Sequence, residues 1–460
     1  MPSAVLLRET PLARRFGNNV KAAPTIFPGV DVSNLIVRGG MPLRGRITPS
    51  ANKNAVLPIL CATLLTDEPV TLRGVPDITD VTQILNLFVS LGSEVDWDRT
   101  THILRLCHAG AEARGGASLP EGMRSSIMLI PPLIARFGEA RLEGEVKGCT
   151  LGAREIDPHI EVFQAFGAGV EERGDALAIT LDSAFHAATH WLDYASVTTS
   201  ENFVLCAVKA RGASQLTNAA CEPHVQEFCA FLKLMGAHIE GVGASRLRVE
   251  GVDRLSGADY TFAEDFHEIT TFLALGAITG GEVAVKNANP EQFPLIDRAF
   301  SKFGVEIAHR DGWSYSIPDG PLRVRAPFTS YILPKIEAAP WPYLPVDLLP
   351  IFVALGARAE GQMLFWNKVY EGALGWTSEL AKFGAHALQC DPHRVITFGG
   401  KPLGPARVES PYIIRVAIAL LMVAASIEGQ STILNADPIR RAHPRFVENL
   451  TAIGADVEWA

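Results

Sequence analysis

One short pattern occurs six times along this chain: an apolar residue and a glycine, followed by the first residues of a strand-like segment. The glycines are Gly92, Gly167, Gly236, Gly304, Gly384 and Gly454, spaced 68 to 80 residues apart. A glycine between a helix and a strand suits the C′ position, where the backbone needs a positive φ. We therefore predict six structural units of about seventy residues each, covering nearly the whole chain.

Each unit has a second recurring feature, a helix that is apolar nearly all round. Four such helices are predicted, at 54–65, 203–209, 271–278 and 416–426. Helices without a polar face are buried, so each is expected to be covered by a sheet. At 460 residues the chain exceeds the size of one hydrophobic core, which favours two domains of three units each.

Composition excludes several classes of protein. With a net charge of −9 and no basic stripe, a nucleic-acid surface is not expected. The seven scattered cysteines predict neither a disulfide framework nor a zinc site, and they fit a reducing cytoplasm. The longest apolar stretch, 413–427, is interrupted by Arg415 and is too short to span a membrane. Residues 1–32 lack the apolar core of a signal peptide and are predicted to be a poorly ordered extension.

The segment 147–154, Lys-Gly-Cys-Thr-Leu-Gly-Ala-Arg, contains a candidate reactive thiol. Cys149 lies between two glycines, with Lys147 and Arg154 nearby. Neighbouring cations lower the pKa of a thiol and so make it a useful acid or nucleophile. A small residue in a turn is the alternative interpretation, and this segment alone does not decide between them.

Two segments resemble a known family. Residues 49–58, which contain Asn52, Lys53 and Asn54, resemble the Lys-Asn signature of the UDP-N-acetylglucosamine enolpyruvyl transferases, and 148–154 resembles their catalytic loop. The similarity runs from about Asn34 to the C-terminus. It implies an α/β fold of two inverse α/β barrels, built from six βαβαββ repeats. The shikimate-pathway branch of enolpyruvyl transferases carries a different stretch at 52–55 and is less similar.

The resemblance also implies domain boundaries. Residues 1–32 would be an extension, residues 33–53 plus 263–460 one barrel, and residues 54–262 the barrel with the catalytic cysteine loop. Substrates would bind in the cleft between the two barrels.

The family binds phosphoenolpyruvate, whose phosphate and carboxylate need several fixed cations. The predicted phosphoenolpyruvate-binding residues are Lys53, Arg124, Arg154, Lys368, Arg415 and Arg441. Arg415 is a candidate without the family, because one arginine inside an apolar run is costly to bury unless it meets an anion. The alternative is an arginine that extends to solvent. Lys368 stands where the family usually has arginine, so it keeps the charge but loses the two-pronged geometry.

The reaction requires a base for the acceptor hydroxyl and an acid for C3 of phosphoenolpyruvate. By resemblance, Asp347 is the base and Cys149 the acid, and a covalent adduct of Cys149 with phosphoenolpyruvate is an option. Lys53 completes the predicted catalytic set. For Asp347 the structural alternative is a carboxylate that caps a turn or helix. This chemistry needs neither a metal nor an organic cofactor. His186 and His190 are four residues apart, but we interpret them as part of a solvated turn.

The predicted nucleotide-binding residues are Asn54, Arg154, Asp157, Tyr194, Ser196, Val197 and Thr198. Around the diphosphate the chain departs from the family, since Tyr194, Cys221 and Phe266 replace cations and Thr198 replaces glycine. Fewer cations predict less phosphate charge, so we expect UMP as acceptor, as in the nikkomycin/polyoxin-type enolpyruvyl transferases of antibiotic biosynthesis. The alternatives are a UDP-N-acetylglucosamine enolpyruvyl transferase of peptidoglycan synthesis, whose substitutions are drift, and a non-catalytic nucleotide-binding homologue. Small molecules are the only partners predicted.

Overall fold

A computed structural model describes residues 33–113, 117–120, 123–143, 156–174, 176–329 and 331–460. All of them belong to one compact unit, Ser33–Ala460. The predicted extension 1–32, Cys149 and Arg154 lie outside the described residues, and so do the side chains of Arg124 and Arg441.

Strands and helices alternate along the described chain. The strands are β1 (Leu35–Gly39), β2 (Arg44–Ile47), β3 (Val70–Arg73), β4 (Glu94–Asp98), β5 (Ile103–Cys107), β6 (Ala117–Ser118), β7 (Glu139–Glu143), β8 (Gly169–Arg173), β9 (Ala176–Thr180), β10 (Thr189–Trp191), β11 (Ala213–Thr217), β12 (His238–Glu240), β13 (Arg246–Glu250), β14 (Asp259–Thr261), β15 (Glu282–Lys286), β16 (Val305–Arg310), β17 (Trp313–Pro318), β18 (Lys335–Ala338), β19 (Gly361–Asn367), β20 (His386–Asp391), β21 (Arg394–Gly399), β22 (Arg407–Glu409), β23 (Gly429–Leu434) and β24 (Asp456–Trp459).

The α-helices are α1 (Lys53–Thr63), α2 (Thr79–Ser90), α3 (Ile130–Phe137), α4 (Asp157–Ala165), α5 (Val197–Ala207), α6 (Pro223–Leu234), α7 (Phe266–Ile278), α8 (Pro294–Ser301), α9 (Leu349–Arg358), α10 (Ile414–Ala425), α11 (Pro438–Ala442) and α12 (Phe446–Ala452). Short 3₁₀ helices cover Arg124–Leu129, Pro290–Gln292, Val346–Leu348 and Gly375–Phe383. The four helices predicted to be buried correspond to α1, α5, α7 and α10, and each is buried along most of its length. None of the described helices is both long and apolar enough to cross a membrane.

The strands of the described residues form six four-stranded sheets that share one arrangement. Their orders are β14-β3-β5-β4, β6-β7-β9-β8, β10-β11-β13-β12, β2-β15-β17-β16, β18-β19-β21-β20 and β22-β23-β1-β24. In every sheet the first strand pairs parallel with the second, and the remaining pairs are antiparallel. The chain therefore builds the same α/β unit repeatedly.

The repeating glycines have the predicted backbone conformation. Each of the six has a positive φ, between 76° and 102°, and each stands between a helix and the next strand. The left-handed conformation is accessible to glycine without the steric cost that a Cβ would add. The glycine period was therefore a reliable sequence signal for the repeat.

Buried hydrophobic residues of the described chain form two clusters. The N-terminal core draws on residues 55–262, and the C-terminal core draws on 35–47 and 266–457. Strand β2 precedes the N-terminal core in sequence but pairs with β15, whereas β14 pairs with β3. Two connecting segments thus run between the cores, and they meet in a bridge between Ala51 and Glu264 and a hydrogen bond from Asp265 N to Ser50 O of 2.9 Å.

The interpretation of His186 and His190 as a solvated turn was wrong. His190 lies in strand β10 with a buried Nε2, and His186 pairs in a β-bridge with Arg211. Both residues are extended because this segment forms the edge of a sheet.

Candidate functional site

The predicted base and one predicted cation line the same pocket. Asp347 lies on the 3₁₀ helix Val346–Leu348, which leads into buried helix α9, and Arg415 is the second residue of buried helix α10. Asn367, at the end of β19, lines the same pocket. The pocket forms where these elements meet in the C-terminal core, so residues 68 positions apart in sequence come together.

Arg415 is held in a buried polar network. Its side chain is 13% exposed, with Nη2 3.8 Å from Asp265 Oδ2 and Nη1 2.9 Å from His443 Nε2. The arginine therefore does not extend to solvent. The anion that its burial predicted is already supplied by Asp265, which leaves its other side toward the pocket.

Asp265 is the N-cap of α7 and has several partners. Its Oδ1 accepts hydrogen bonds from His267 N and lies 2.9 Å from His267 Nδ1. Burial alone would raise the pKa of Asp265, but the charges of His267 and Arg415 and the hydrogen bond from His267 outweigh it and lower the pKa. An ionised Asp265 fixes the direction of the Arg415 guanidinium.

The network continues to the segment that connects the two cores. Buried Glu268 accepts a hydrogen bond from Ser50 N at 3.0 Å. His443 Nδ1 lies 3.3 Å from Glu268 Oε2, an ion-pair distance without hydrogen-bond geometry. The charged groups around Arg415 are thereby tied to the connection before α1.

Lys53 is the first residue of α1, directly after this connection. Its Nζ lies 2.5 Å from Asp80 Oδ2 on α2, and Asn52 caps the helix by accepting a hydrogen bond from Asn54 N. An ion pair with a buried carboxylate fixes the lysine at the edge of the N-terminal core. The contact of Asn54 at this helix start is made by its backbone N–H, which donates to Asn52.

Lys368 faces a different anion from the one predicted. Its Nζ lies 2.6 Å from Glu337 Oε2 and 4.5 Å from the ring of Trp366. Hydrogen bonds from Lys335 and Lys368 lower the pKa of Glu337. The pocket is lined by the neighbouring Asn367, while the lysine is paired outside it.

The predicted nucleotide-binding residues gather at the starts of α4 and α5. Asp157 begins α4 and Ser196 caps α5, which continues through Val197 and Thr198. Thr198 Oγ1 lies 3.4 Å from Nε2 of His159 on α4. These contacts bring the two helix starts together. Tyr194, in the loop before α5, is 50% exposed.

A group of residues joins the two cores, and sequence reasoning had placed only two of them, Cys221 and Phe266, near the acceptor. We call it the cleft cluster: Cys221, Glu222 and His224 of the N-terminal core, and Phe266 and Trp341 of the C-terminal core. Cys221 Sγ donates to Trp341 O at 3.3 Å, and Trp341 N donates to Glu222 Oε1 at 3.3 Å. The Phe266 ring lies 6.3 Å from both His224 and Trp341. The contact therefore spans the two cores beside the pocket residue Asp347.

The amino-acid sequence is similar to those of known proteins. Residues 37–450 match the model of the EPSP synthase (3-phosphoshikimate 1-carboxyvinyltransferase) family. UDP-N-acetylglucosamine 1-carboxyvinyltransferase of Borreliella burgdorferi is 35% identical over 92% of this chain and 98% of its own length, and that of Bacteroides thetaiotaomicron is 36% identical over 93% and 99%. The chain belongs to the EPSP synthase family of enolpyruvyl transferases.

Solved structures show the same fold. The enolpyruvyl transferase NikO from Streptomyces tendae superposes with a TM-score of 0.81 at 20% identity, covering 93% of this chain and 99% of NikO. EPSP synthase from Acinetobacter baumannii gives 0.74 at 16% identity, covering 93% and 100%. This chain is thus an enolpyruvyl (carboxyvinyl) transferase with mixed α/β sheets.

For an enolpyruvyl transferase, the described site supplies a carboxylate and a fixed cation in one pocket. Across from them lie groups whose charged forms burial disfavours. Burial raises the pKa of the Cys221 thiol to about 11, and burial likewise raises the pKa of Glu222. The described residues contain no group of three His, Cys, Asp or Glu placed to hold a metal ion. The roles of Glu222, His224 and Trp341 in the cleft cluster were missed, because Cys221 and Trp341 are 120 residues apart and no local pattern links them.

Proposed function

We propose that this enolpyruvyl transferase moves the enolpyruvyl group of phosphoenolpyruvate to a hydroxyl of UMP, with release of phosphate, in the biosynthesis of a nucleoside antibiotic. The observation that carries the choice of acceptor is that the cleft cluster contains no lysine or arginine. Its residues Cys221 and Phe266, together with Tyr194, stand at positions where the family resemblance implies cations.

The packing of these residues supports an acceptor with little phosphate charge. Phe266 is 2% exposed and lies between His224 and Trp341, so its ring fills the space between the cores. Cys221 is buried, and its thiol donates a hydrogen bond to the Trp341 carbonyl. A second phosphate at such a place would lose its hydration without gaining a charged partner, which costs several kcal/mol by order of magnitude, roughly 2–7 for a single polar group.

The proposed chemistry has two steps. In the addition, Asp347 takes the proton of the acceptor hydroxyl, the oxygen bonds to C2 of phosphoenolpyruvate, and Cys149 delivers a proton to C3. In the elimination, the C2–O bond to phosphate breaks and C3 loses a proton, which restores the double bond. Lys53, Lys368 and Arg415 are proposed to bind phosphoenolpyruvate with Arg124, Arg154 and Arg441. A cation such as Arg415, already fixed by Asp265, stabilises the leaving phosphate without reorganisation.

The proposed architecture is two inverse α/β barrels. One comprises residues 33–53 plus 263–460, the other residues 54–262, and the cleft between them holds the substrates. The two separate hydrophobic cores support this division, as do the pairing of β2 with β15 and that of β14 with β3.

A second candidate is transfer to UDP-N-acetylglucosamine. It is favoured by relatives with that activity in their names that are 35% and 36% identical over nearly their full lengths. If that is the reaction, the replacement of family cations by Cys221 and Phe266 does not determine which acceptor is used.

Phosphate release from phosphoenolpyruvate, measured with UMP, with UDP-N-acetylglucosamine and with neither, tests the proposal. We expect the higher kcat/KM with UMP, and Tyr194→Lys combined with Phe266→Arg to shift the preference toward the diphosphate sugar. Because Phe266 is buried, Tyr194→Lys alone at its exposed position is the control for loss of folding. Efficient use of UDP-N-acetylglucosamine and none of UMP would overturn the choice of acceptor, and no release with either would overturn the proposed function.

A further inference from the structure

His224, the second residue of α6, is a buried histidine with no hydrogen-bond partner among the described residues. It is 4% exposed, and both Nδ1 and Nε2 are unsatisfied. By contrast, both ring nitrogens of buried His108 have hydroxyl partners, and buried His443 has one nitrogen bonded to Arg415. A buried polar atom without a partner is unfavourable, so an orphaned imidazole in a native structure calls for a ligand or another partner.

The surroundings of His224 determine which ligand suits it. Burial and the charge of His267 lower the pKa of His224 to about 3, and the opposing charges of Asp347 and Asp265 are too weak to restore it. The imidazole is therefore neutral at pH 7, with one nitrogen that donates and one that accepts. The nearby carboxylates of Asp347 and Asp265 disfavour an approaching phosphate. A hydroxyl group, which is neutral and both donates and accepts, fits this imidazole.

The rings that pack over the His224 imidazole belong to the C-terminal core. The ring of Phe266 lies nearly parallel to the imidazole, at 6.3 Å and 6°, and the ring of His267 lies 6.4 Å away. Both residues belong to α7 of the C-terminal core, whereas His224 belongs to α6 of the N-terminal core. A separation of the two cores would therefore expose the orphaned nitrogens to the cleft, beside Asp347.

We propose that His224 binds a hydroxyl group of the acceptor and holds the acceptor sugar beside Asp347. The inference rests on the proposed transfer to a sugar hydroxyl, but it does not depend on whether UMP or UDP-N-acetylglucosamine is used. His224 is a specificity-determining residue in this proposal, because its hydrogen bonds select a hydroxyl at that place. It does not bind phosphoenolpyruvate.

Steady-state kinetics of His224→Phe and His224→Gln test this role. Phenylalanine keeps a flat ring against Phe266 but cannot form hydrogen bonds, whereas glutamine keeps a donor and an acceptor. We expect His224→Phe to raise the KM of the acceptor by about 10-fold to 100-fold, since one or two hydrogen bonds are lost. The KM of phosphoenolpyruvate should change less than about 2-fold, and His224→Gln should recover most of the acceptor binding. His108→Gln, a buried histidine elsewhere, is the control and should leave the acceptor KM unchanged.

Imidazole ¹⁵N NMR of the wild-type enzyme provides a readout that does not depend on a variant folding. Addition of UMP or UDP-N-acetylglucosamine, without phosphoenolpyruvate, should shift the ring nitrogens of His224 and leave those of His108 in place. Unmoved His224 signals together with a wild-type acceptor KM in His224→Phe would overturn the inference while the proposed function stands. If wild-type enzyme releases phosphate with neither nucleotide, the proposed function fails and this inference fails with it.

Discussion

The starts of helices α6 and α7 face each other where the two cores meet. The buried polar groups at one start are paired, and several of those at the other are not. At α7, Asp265, His267 and Arg415 are joined by short contacts, so each charge has a partner. At α6, one oxygen of Glu222 and both nitrogens of His224 have no partner among the described residues. One side of the site is thus complete before substrate arrives, and the other is not.

The difference follows from the cost of burying charge. A buried ion pair persists when both charges are matched and hydrogen-bonded, as for Asp265. Where no opposite charge is available, burial shifts the pKa in the direction that favours the neutral form, as it raises the pKa of Glu222 and lowers that of His224. The α7 side therefore holds charges in fixed pairs, and the α6 side favours neutral groups. The predictions below test this contrast, from the largest expected effect to the smallest.

Asp347 lies on the C-terminal core, but its charge also acts on Glu222 and His224 of the N-terminal core. Replacing it by asparagine keeps the shape of the side chain but removes the proposed base. We expect Asp347→Asn to lower kcat by about 10²-fold to 10⁴-fold with little change in either KM. Single-turnover phosphate release measures the chemical step directly. Asp391→Asn, whose partner is the exposed Arg394, is the control, and a wild-type rate in Asp347→Asn would remove Asp347 from the mechanism.

Asp265→Asn disrupts the paired charges at the start of α7. This change leaves Arg415 and His267 buried without their anion, so we expect a loss of about 3–5 kcal/mol in the free energy of unfolding. Urea denaturation at pH 7 measures it. Asp259→Asn is the matched control, because Asp259 pairs with Arg73 at the surface, where a pair contributes only about 0–1 kcal/mol. Equal losses for the two variants would contradict the role assigned to the buried network.

The sequence predicted the repeat well and the site in part. The glycine period encodes the fold locally, because each glycine acts within its own helix-to-strand turn. Arg415 was identifiable because a lone charge stands out in an apolar helix. Its partner Asp265 was not, since the two are 150 residues apart and only the folded chain brings them together. Lys368 was also identified from the sequence, but the direction of its side chain could not be, because it depends on Glu337 of a neighbouring strand.

Glu227 of α6 connects the incomplete side to the segment between the cores. Its Oε1 accepts hydrogen bonds from Ala263 N at 2.8 Å and Tyr260 OH at 3.3 Å. Burial raises its pKa from 4.5 to about 7 against the effect of these bonds. A raised pKa favours the protonated form in the folded state, so the stability it contributes is full below pH 4.5 and is lost as the pH rises through 7.

Glu227→Gln removes this dependence while keeping an acceptor for both donors. Between pH 4 and pH 8 we expect the wild-type free energy of unfolding to fall by about 3 kcal/mol relative to the variant, at about 1.36 kcal/mol for each unit of pKa shift. Urea denaturation at several pH values measures the difference. The exposed Glu240→Gln should show no such trend. Parallel pH profiles for wild type and Glu227→Gln would mean that Glu227 ionises normally.

The smallest effect is expected for Glu201, which is fully buried on α5 with no partner for Oε1 among the described residues. Burial, with a further contribution from the charge of Glu222, raises its pKa well above the ordinary value, which favours the protonated form. Glu201→Gln puts a neutral amide of the same shape in its place, and we expect a change within about 1 kcal/mol. The same carboxyl-to-amide exchange at Asp265 should cost several times more, because there the charge has partners. Denaturation of both variants at pH 7 compares a buried carboxyl that lacks a charged partner with one that has it. A loss at Glu201 as large as that at Asp265 would mean that Glu201 is ionised and paired, and the contrast between paired and unpaired buried carboxyls would then fail.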